Sequence, residues 1–186
     1  MKKLLTFCLM AITLLIVGTT LTSCSDDDNG GGNASVSVNI GGQKTNFSYV
    51  YWNIDNSATT SSSKRNYQIE FYSFDPYKGS FPKIFSTFLV GFEANGSETE
   101  LPTGTFSSYT LSGALNLSQS TPEGTYFERD ITKSGKLVIS KENGVYHISI
   151  APLYILSGED ESNLQTTQTA LDFSANIPKA PKDLWE

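Results

Sequence analysis

The sequence predicts an all-β fold, an antiparallel sandwich of roughly nine or ten strands, on three observations. Several segments alternate apolar and polar residues with a period of two, as half-buried strands do. Asn143-Gly144 joins two such runs in "KLVISKENGVYHISI", the strongest short hairpin signal. No segment sustains an apolar repeat at helical spacing, and the 12% aromatic content together with abundant Ser, Thr and Gly suits strands and turns.

At the N-terminus, Lys2 and Lys3 precede an apolar run over residues 4–17, which has the length of a secretory signal core. A bilayer span needs about 20 apolar residues, so this run reads as a cleaved leader. Residues 1–23 are then the leader, 24–33 a tether and 34–186 a single domain. Cys8 leaves with the leader, so the mature chain keeps Cys24 alone and has no internal disulfide. Behind Cys24, "SDDDNGGG" carries repelling carboxylates and glycines that cannot bury apolar surface, and it is expected to stay extended and solvated.

The strands follow in chain order. "NFSYVYWNI" (46–54) and "IFSTFLVGF" (84–92) are apolar on both faces, as expected of central strands covered from both sides. "NYQIEFYS" (66–73) sends Tyr67, Ile69 and Phe71 one way and Gln68, Glu70 and Tyr72 the other. In "SYTLSGALNL" (108–117), Tyr109, Leu111, Leu115 and Leu117 align across Gly113, where the missing side chain marks a bulge or bend. The Asn143-Gly144 hairpin with a two-residue loop sets Leu137 opposite Ile150, Ile139 opposite Ile148 and Ser140 opposite His147. A three-residue loop would mix the faces, whereas a four-residue loop keeps parity. Finally, "TALDFSANI" (169–177) points Leu171, Phe173, Ala175 and Ile177 inward. Parity cannot separate two packed sheets from a lipocalin-like closed barrel, which needs a tilt and stagger that pattern does not reveal.

Residues 21–24, Leu-Thr-Ser-Cys, resemble the lipobox of bacterial lipoproteins, and the resemblance implies that Cys24 is diacylated and becomes the new N-terminus. The acidic run after it looks like the surface-export signal of lipoproteins in the Bacteroidetes, which implies an outer-membrane protein facing outward. The strand order, with turns at Gly41-Gly42, "ELPTGTF" and Asn143-Gly144, is similar to small β-rich lipoproteins of that group whose function is uncharacterised. Attachment would then be through lipid on Cys24, since acyl chains gain about 0.8 kcal/mol per buried methylene.

Charge narrows the partners. Losing Lys2 and Lys3 with the leader takes 13 basic side chains to 11 against 19 acidic ones, a net of −8, which disfavours nucleic acid and anionic lipid surfaces. His147 is the one histidine, and its parity beside Ser140 reads as a cross-strand polar pair, because no nucleophile elbow or oxyanion hole accompanies it. With one histidine, no metal site of the usual zinc type and no cofactor is expected. Glu93, Glu98, Glu100, Glu159, Asp160 and Glu161 lie in predicted loops without the alternating ligand spacing of a calcium loop, so they read as solvated charge.

The aromatic residues give the one binding signal. Tyr72 falls on the polar side of its strand and Tyr77 in the following turn, whereas Trp52, Phe71 and Phe74 read as core. Exposed rings stack on sugar faces while neighbouring polar groups bond the hydroxyls. The sequence therefore points to a non-enzymatic, lipid-anchored surface binding protein, for a glycan or a companion lipoprotein, with Tyr72 and Tyr77 as the ligand-binding residues. Two other classes stay open: an assembly subunit that pairs through an exposed strand edge, and a glycoside hydrolase with carboxylates brought together by folding.

Overall fold

The computed structural model describes residues 33–40, 42–55, 64–77, 82–121, 124–158 and 164–181. Cys24, the leader, the tether up to residue 32, Glu159, Asp160, Glu161 and Trp185 lie outside the described residues, whereas Asn33, expected at the end of the tether, is described. Ten strands form and no helix is present among the described residues. They are β1 (Asn33–Ile40), β2 (Gln43–Asp55), β3 (Arg65–Tyr72), β4 (Ile84–Ala94), β5 (Gly104–Phe106), β6 (Tyr109–Ser118), β7 (Thr125–Arg129), β8 (Leu137–Glu142), β9 (Val145–Gly158) and β10 (Gln165–Ala175).

All ten belong to one antiparallel sheet in the order β1-β2-β3-β4-β6-β7-β9-β8-β5, with β10 on the far edge of β9. The long β9 divides its near edge between two partners: Val145–Ile150 pairs with β8 and Ile155–Gly158 with β7. Pro152 sits between these stretches, where a residue without a backbone donor loses nothing, and the register against β10 shifts at the same place.

The sheet curls so that its two halves cover one core. β1 packs against β10. Beyond β10 the chain returns to β2, where Trp52 and Lys179 form a short parallel bridge. The expected all-β antiparallel architecture is therefore present, with its two faces continuous in a single curled sheet.

Inward-facing rings fill the space between the halves. Phe71 and Phe88 stack with centroids 3.9 Å apart, Phe47 meets Phe88 edge-on at 4.8 Å, and Phe173 from β10 meets Phe71 edge-on at 5.5 Å. Four strands thus share one aromatic cluster, and the interior is occupied by side chains of the protein itself.

The hairpin forms as the parity argument requires, with Leu137 opposite Ile150 and Ile139 opposite Ile148. Asn143 and Gly144 take φ values of 51° and 84°, the left-handed pair of a two-residue turn. One expectation needs correction. β2 is covered on both faces over Val50, Tyr51 and Trp52, but β4 buries only Ser86, Phe88, Val90, Phe92 and Ala94, leaving its outer side half-exposed and Ile84 63% exposed. The cover on the outer face lies over β2 and the end of β3 and reaches β4 at Phe85, which Phe74 meets edge-on at 5.3 Å, leaving the outer side of β4 beyond it half-exposed.

Candidate functional site

The outer faces of β2, β3, β4 and β6 line up row by row, because antiparallel register places residues directly opposite one another. The uppermost row is Asp55, Asn66 and Glu93; the next is Asn53, Gln68, Gly91 and Thr110. Below them come Tyr51, Glu70, Leu89 and Ser112, and then Tyr49, Tyr72, Thr87 and Ala114. Two polar rows therefore adjoin two rows that are mainly aromatic on β2 and β3.

The polar rows form an open groove of about 320 Å³, lined by Asp55, Asn66, Gln68, Gly91, Glu93 and Thr110 among others. Gly91 makes the depression. A side chain there would start 2.7 Å from Thr110 Oγ1, so the Thr110 hydroxyl leans over a bare stretch of backbone. That hydroxyl donates to the Gly91 carbonyl at 3.4 Å. Amides supply both donors and acceptors, carboxylates accept, and hydroxyls do either, so the lining can bond a ligand rich in hydroxyl groups.

Tyr67 and Tyr109 lie beneath this groove with their rings in the core. Burial raises both phenols above the ordinary value, opposed by Arg65 at Tyr67 and by Arg129 at Tyr109. Arg129 lies over the Tyr109 ring, 3.8 Å from its centroid, and also donates to the Tyr109 carbonyl. The Tyr67 hydroxyl donates to the Ser97 carbonyl at 2.8 Å. The floor is consequently held from below.

The aromatic rows are closed over. Tyr72 lies on the outer face, as its parity requires, but is only 4% exposed. Phe74 packs edge-on against it at 5.9 Å, and the Tyr72 hydroxyl donates to Glu70 Oε2 at 3.0 Å. Tyr77 also reaches Glu70 Oε2, at 3.5 Å, and meets the Tyr51 ring edge-on at 4.8 Å. Tyr72 is thus packed under the outer cluster, not a flat exposed platform, and is not part of the groove lining; Phe74 belongs to this outer cluster instead of the main core. Tyr77, half-buried, lies over the same cluster. Alternation shows which face a ring takes; it does not show that the next turn folds back on top of it.

Tyr51 is fully buried in that cluster, and among the described residues its hydroxyl meets no acceptor at hydrogen-bond geometry. Burial pushes its phenol far above the ordinary range, and the nearby Asp75 carboxylate pushes it further.

The other sequence candidates are dispersed. Ser140 and His147 are opposite one another in register, yet His147 Nδ1 bonds Ser174 Oγ at 2.8 Å and its Nε2 lies 3.4 Å from Asp172. Both partners come from β10, the other neighbour of β9. This trio is exposed on the sheet face. Glu98 pairs with Arg65 at 3.0 Å, Glu100 with Lys141 at 3.1 Å, and Glu93 with Lys64 at 4.0 Å, so each carboxylate faces a different cation. Among the described residues no three His, Cys, Asp or Glu side chains come together as a metal would need.

The groove residues are largely those the sequence reading passed over. Only Glu93 and the outward parity of Gln68 stood out there. The signal that could have found the site is Gly91, a glycine inside an otherwise apolar strand, which marks a close approach of backbone. Comparison with protein-family models, curated proteins and solved structures gave no match for this chain.

Proposed function

We propose that the protein is a lipid-anchored, surface-displayed binding domain that takes a glycan in the groove over Gly91. The observation that carries this reading is the register-aligned set Asp55, Asn66, Gln68, Glu93 and Thr110 around a floor without side chain. Planar amides and carboxylates pair with adjacent hydroxyls, and a shallow open groove suits a chain that passes through it better than a small buried ligand. Attachment through Cys24 is supported by the leader and by residues 21–24. Pairing through a strand edge is less favoured, because β5, at one end of the sheet order, has three residues, while the longer β1 and β10 pack against each other.

Calorimetric titration of the soluble domain with a panel of oligosaccharides tests the reading. Binding by at least one of them, weakened tenfold or more in the Asn66→Ala/Gln68→Ala double variant, is the expected result. Absence of heat across the whole panel sinks it.

One observation favours a second reading, hydrolysis of the bound glycan. Asp55 and Glu93 flank Asn66 two strand spacings apart, about 10 Å between backbones, which is compatible with the roughly 6.5–9.5 Å between carboxyl groups in inverting glycosidases. Release of reducing ends, abolished in Glu93→Gln, would establish it.

A further inference from the structure

A second cluster lies apart from the groove, on the outer face of β9 and β10. Antiparallel register sets His147 directly opposite Ser174, and Asp172, two residues earlier on β10, shares that face. Ser174 Oγ stands 2.8 Å from His147 Nδ1, and Asp172 Oδ1 stands 3.4 Å from Nε2. An uncharged imidazole carries one ring proton, which sits on either nitrogen. The carboxylate draws that proton to Nε2. Nδ1 is then the acceptor, and the Ser174 hydroxyl donates to it. Nucleophile, base and orienting acid are therefore in line, with the two ring nitrogens exchanged relative to the serine-protease arrangement.

We propose that Ser174, His147 and Asp172 form an open acyl-transfer site for small carboxylic esters. Ser174 Oγ bonds the ester carbonyl carbon as its proton passes to His147 Nδ1. The bond from that carbon to the alkoxy oxygen then breaks, and the alcohol leaves with the proton from Nδ1. Water repeats the sequence on acyl-Ser174: its oxygen bonds the carbonyl carbon, its proton passes through Nδ1 to Ser174 Oγ, and the carboxylic acid departs. Ester and water thus become alcohol and acid. The side chains of His147 and Asp172 are 51% and 64% exposed, so no low-dielectric wall strengthens the charges that develop. General base catalysis by His147 carries the rate, a gain of about 10²–10⁴. An exposed face gives a long acyl chain nothing to lie against, so the site takes short acyl groups, acetyl above all.

The test uses p-nitrophenyl acetate, with nitrophenolate release followed by absorbance and the acetylated residue located by peptide mass spectrometry after an acid quench. Acetyl on Ser174 is the expected result. His147→Ala should slow its appearance about 100-fold or more, the worth of the general base. Asp172→Ala should slow it about fivefold, the support that a carboxylate in contact gives an imidazolium in a water-like dielectric. Ser140→Ala removes the other hydroxyl opposite His147 and should change nothing. Asp172 is a positioning residue, and nitrogen NMR reads its effect directly, because His147 is the one histidine of the chain. The ring proton should sit on Nε2 in the wild type and be shared between both nitrogens in Asp172→Ala. All four side chains are exposed, so each variant should keep the thermal midpoint of the wild type. Acetyl on Ser140, or only on His147 and lysines, overturns the proposal. So does acetylation of Ser174 at an unchanged rate in His147→Ala, and so does a wild-type ring that carries its proton on Nδ1.

Discussion

Trp52 and Lys179 tie the segment that follows β10 to β2. The Trp52 N–H donates to the Pro178 carbonyl at 3.0 Å, and the Ala180 N–H donates back to the Trp52 carbonyl at 2.8 Å. Lys179 lies 5.5 Å from the centre of the Trp52 ring and donates to the Glu98 carbonyl at 2.8 Å. Trp52 itself is 3% exposed, so these bonds close over the core next to the upper rows of the outer face.

Truncation after Ile177 should therefore destabilise the domain without changing its strands. Two backbone hydrogen bonds contribute about 1–3 kcal/mol net, while the exposed lysine contacts add little. Urea denaturation of the truncated and full domains measures the difference. An unchanged midpoint would show that the sheet stays closed without the bridge.

Tyr51→Phe is expected to stabilise the protein at neutral pH. A buried donor without an acceptor costs about 1–3 kcal/mol, and phenylalanine keeps the ring that meets Tyr77 while removing the donor. The sign of the pH dependence follows from the same burial. Tyr51, Tyr67 and Tyr109 have folded-state values above the unfolded value of about 10, so their contribution is complete below pH 10 and is lost as pH rises beyond it. Phenolate absorbance followed with circular dichroism should show these groups ionising as the fold is lost. The Tyr51→Phe variant should lose less stability in alkali. A variant less stable than wild type at neutral pH would mean that the Tyr51 hydroxyl does bond Asp75.

Much of the fold was legible because strand parity is a local property. The Asn143-Gly144 hairpin, the inward set Tyr67, Ile69 and Phe71, and the inward run from Leu171 to Ile177 all follow from alternation within one segment. What parity cannot supply is the identity of the second neighbour. His147 was paired with Ser140 because the hairpin makes them opposite, but its hydrogen bond goes to Ser174, which comes 27 residues later on β10. Tyr72 shows the same limit in the third dimension: its face was correct and its cover was not. The groove was hidden for a related reason. Its residues come from four strands between Asp55 and Thr110, and only the register of the assembled sheet makes them a row.

Gly113 offers a sharp test of that assembly. A β-carbon built there would lie 2.3 Å from Phe88 Cβ, 2.5 Å from the Thr87 carbonyl oxygen and 2.7 Å from Phe88 Cα. Two of those atoms are backbone, so no rotamer change relieves the clash. The sequence marks Gly113 as a bulge or bend, but the register shift on β6 falls beyond it, between Ala114 and Leu117, where Asn116 takes a φ of 54°. Glycine is needed at 113 for close approach of Phe88, the residue at the centre of the aromatic cluster. Gly113→Ala should cost about 1–3 kcal/mol or more through overpacking, read as a lower thermal midpoint. Gly144→Ala, on an open turn, should cost only about 1 kcal/mol through its left-handed φ. Equal losses for the two variants would contradict the packing argument.

The proposed anchoring makes the remaining prediction. If Cys24 carries the acyl chains, the native protein should lack residues 1–23 and show a mass above that of the bare mature chain by at least a diacylglyceryl group. One chain binds a bilayer only marginally, whereas two or more hold it firmly, so the wild type should sediment with membranes and require detergent for release. Cys24→Ser removes the acyl acceptor. Because the described domain starts at Asn33, nine residues beyond Cys24, the exchange should leave its folding and its groove untouched while freeing the protein from the membrane. Membrane retention of Cys24→Ser with the leader removed would exclude lipid on that sulfur as the anchor, and the site of attachment would have to lie elsewhere on the chain.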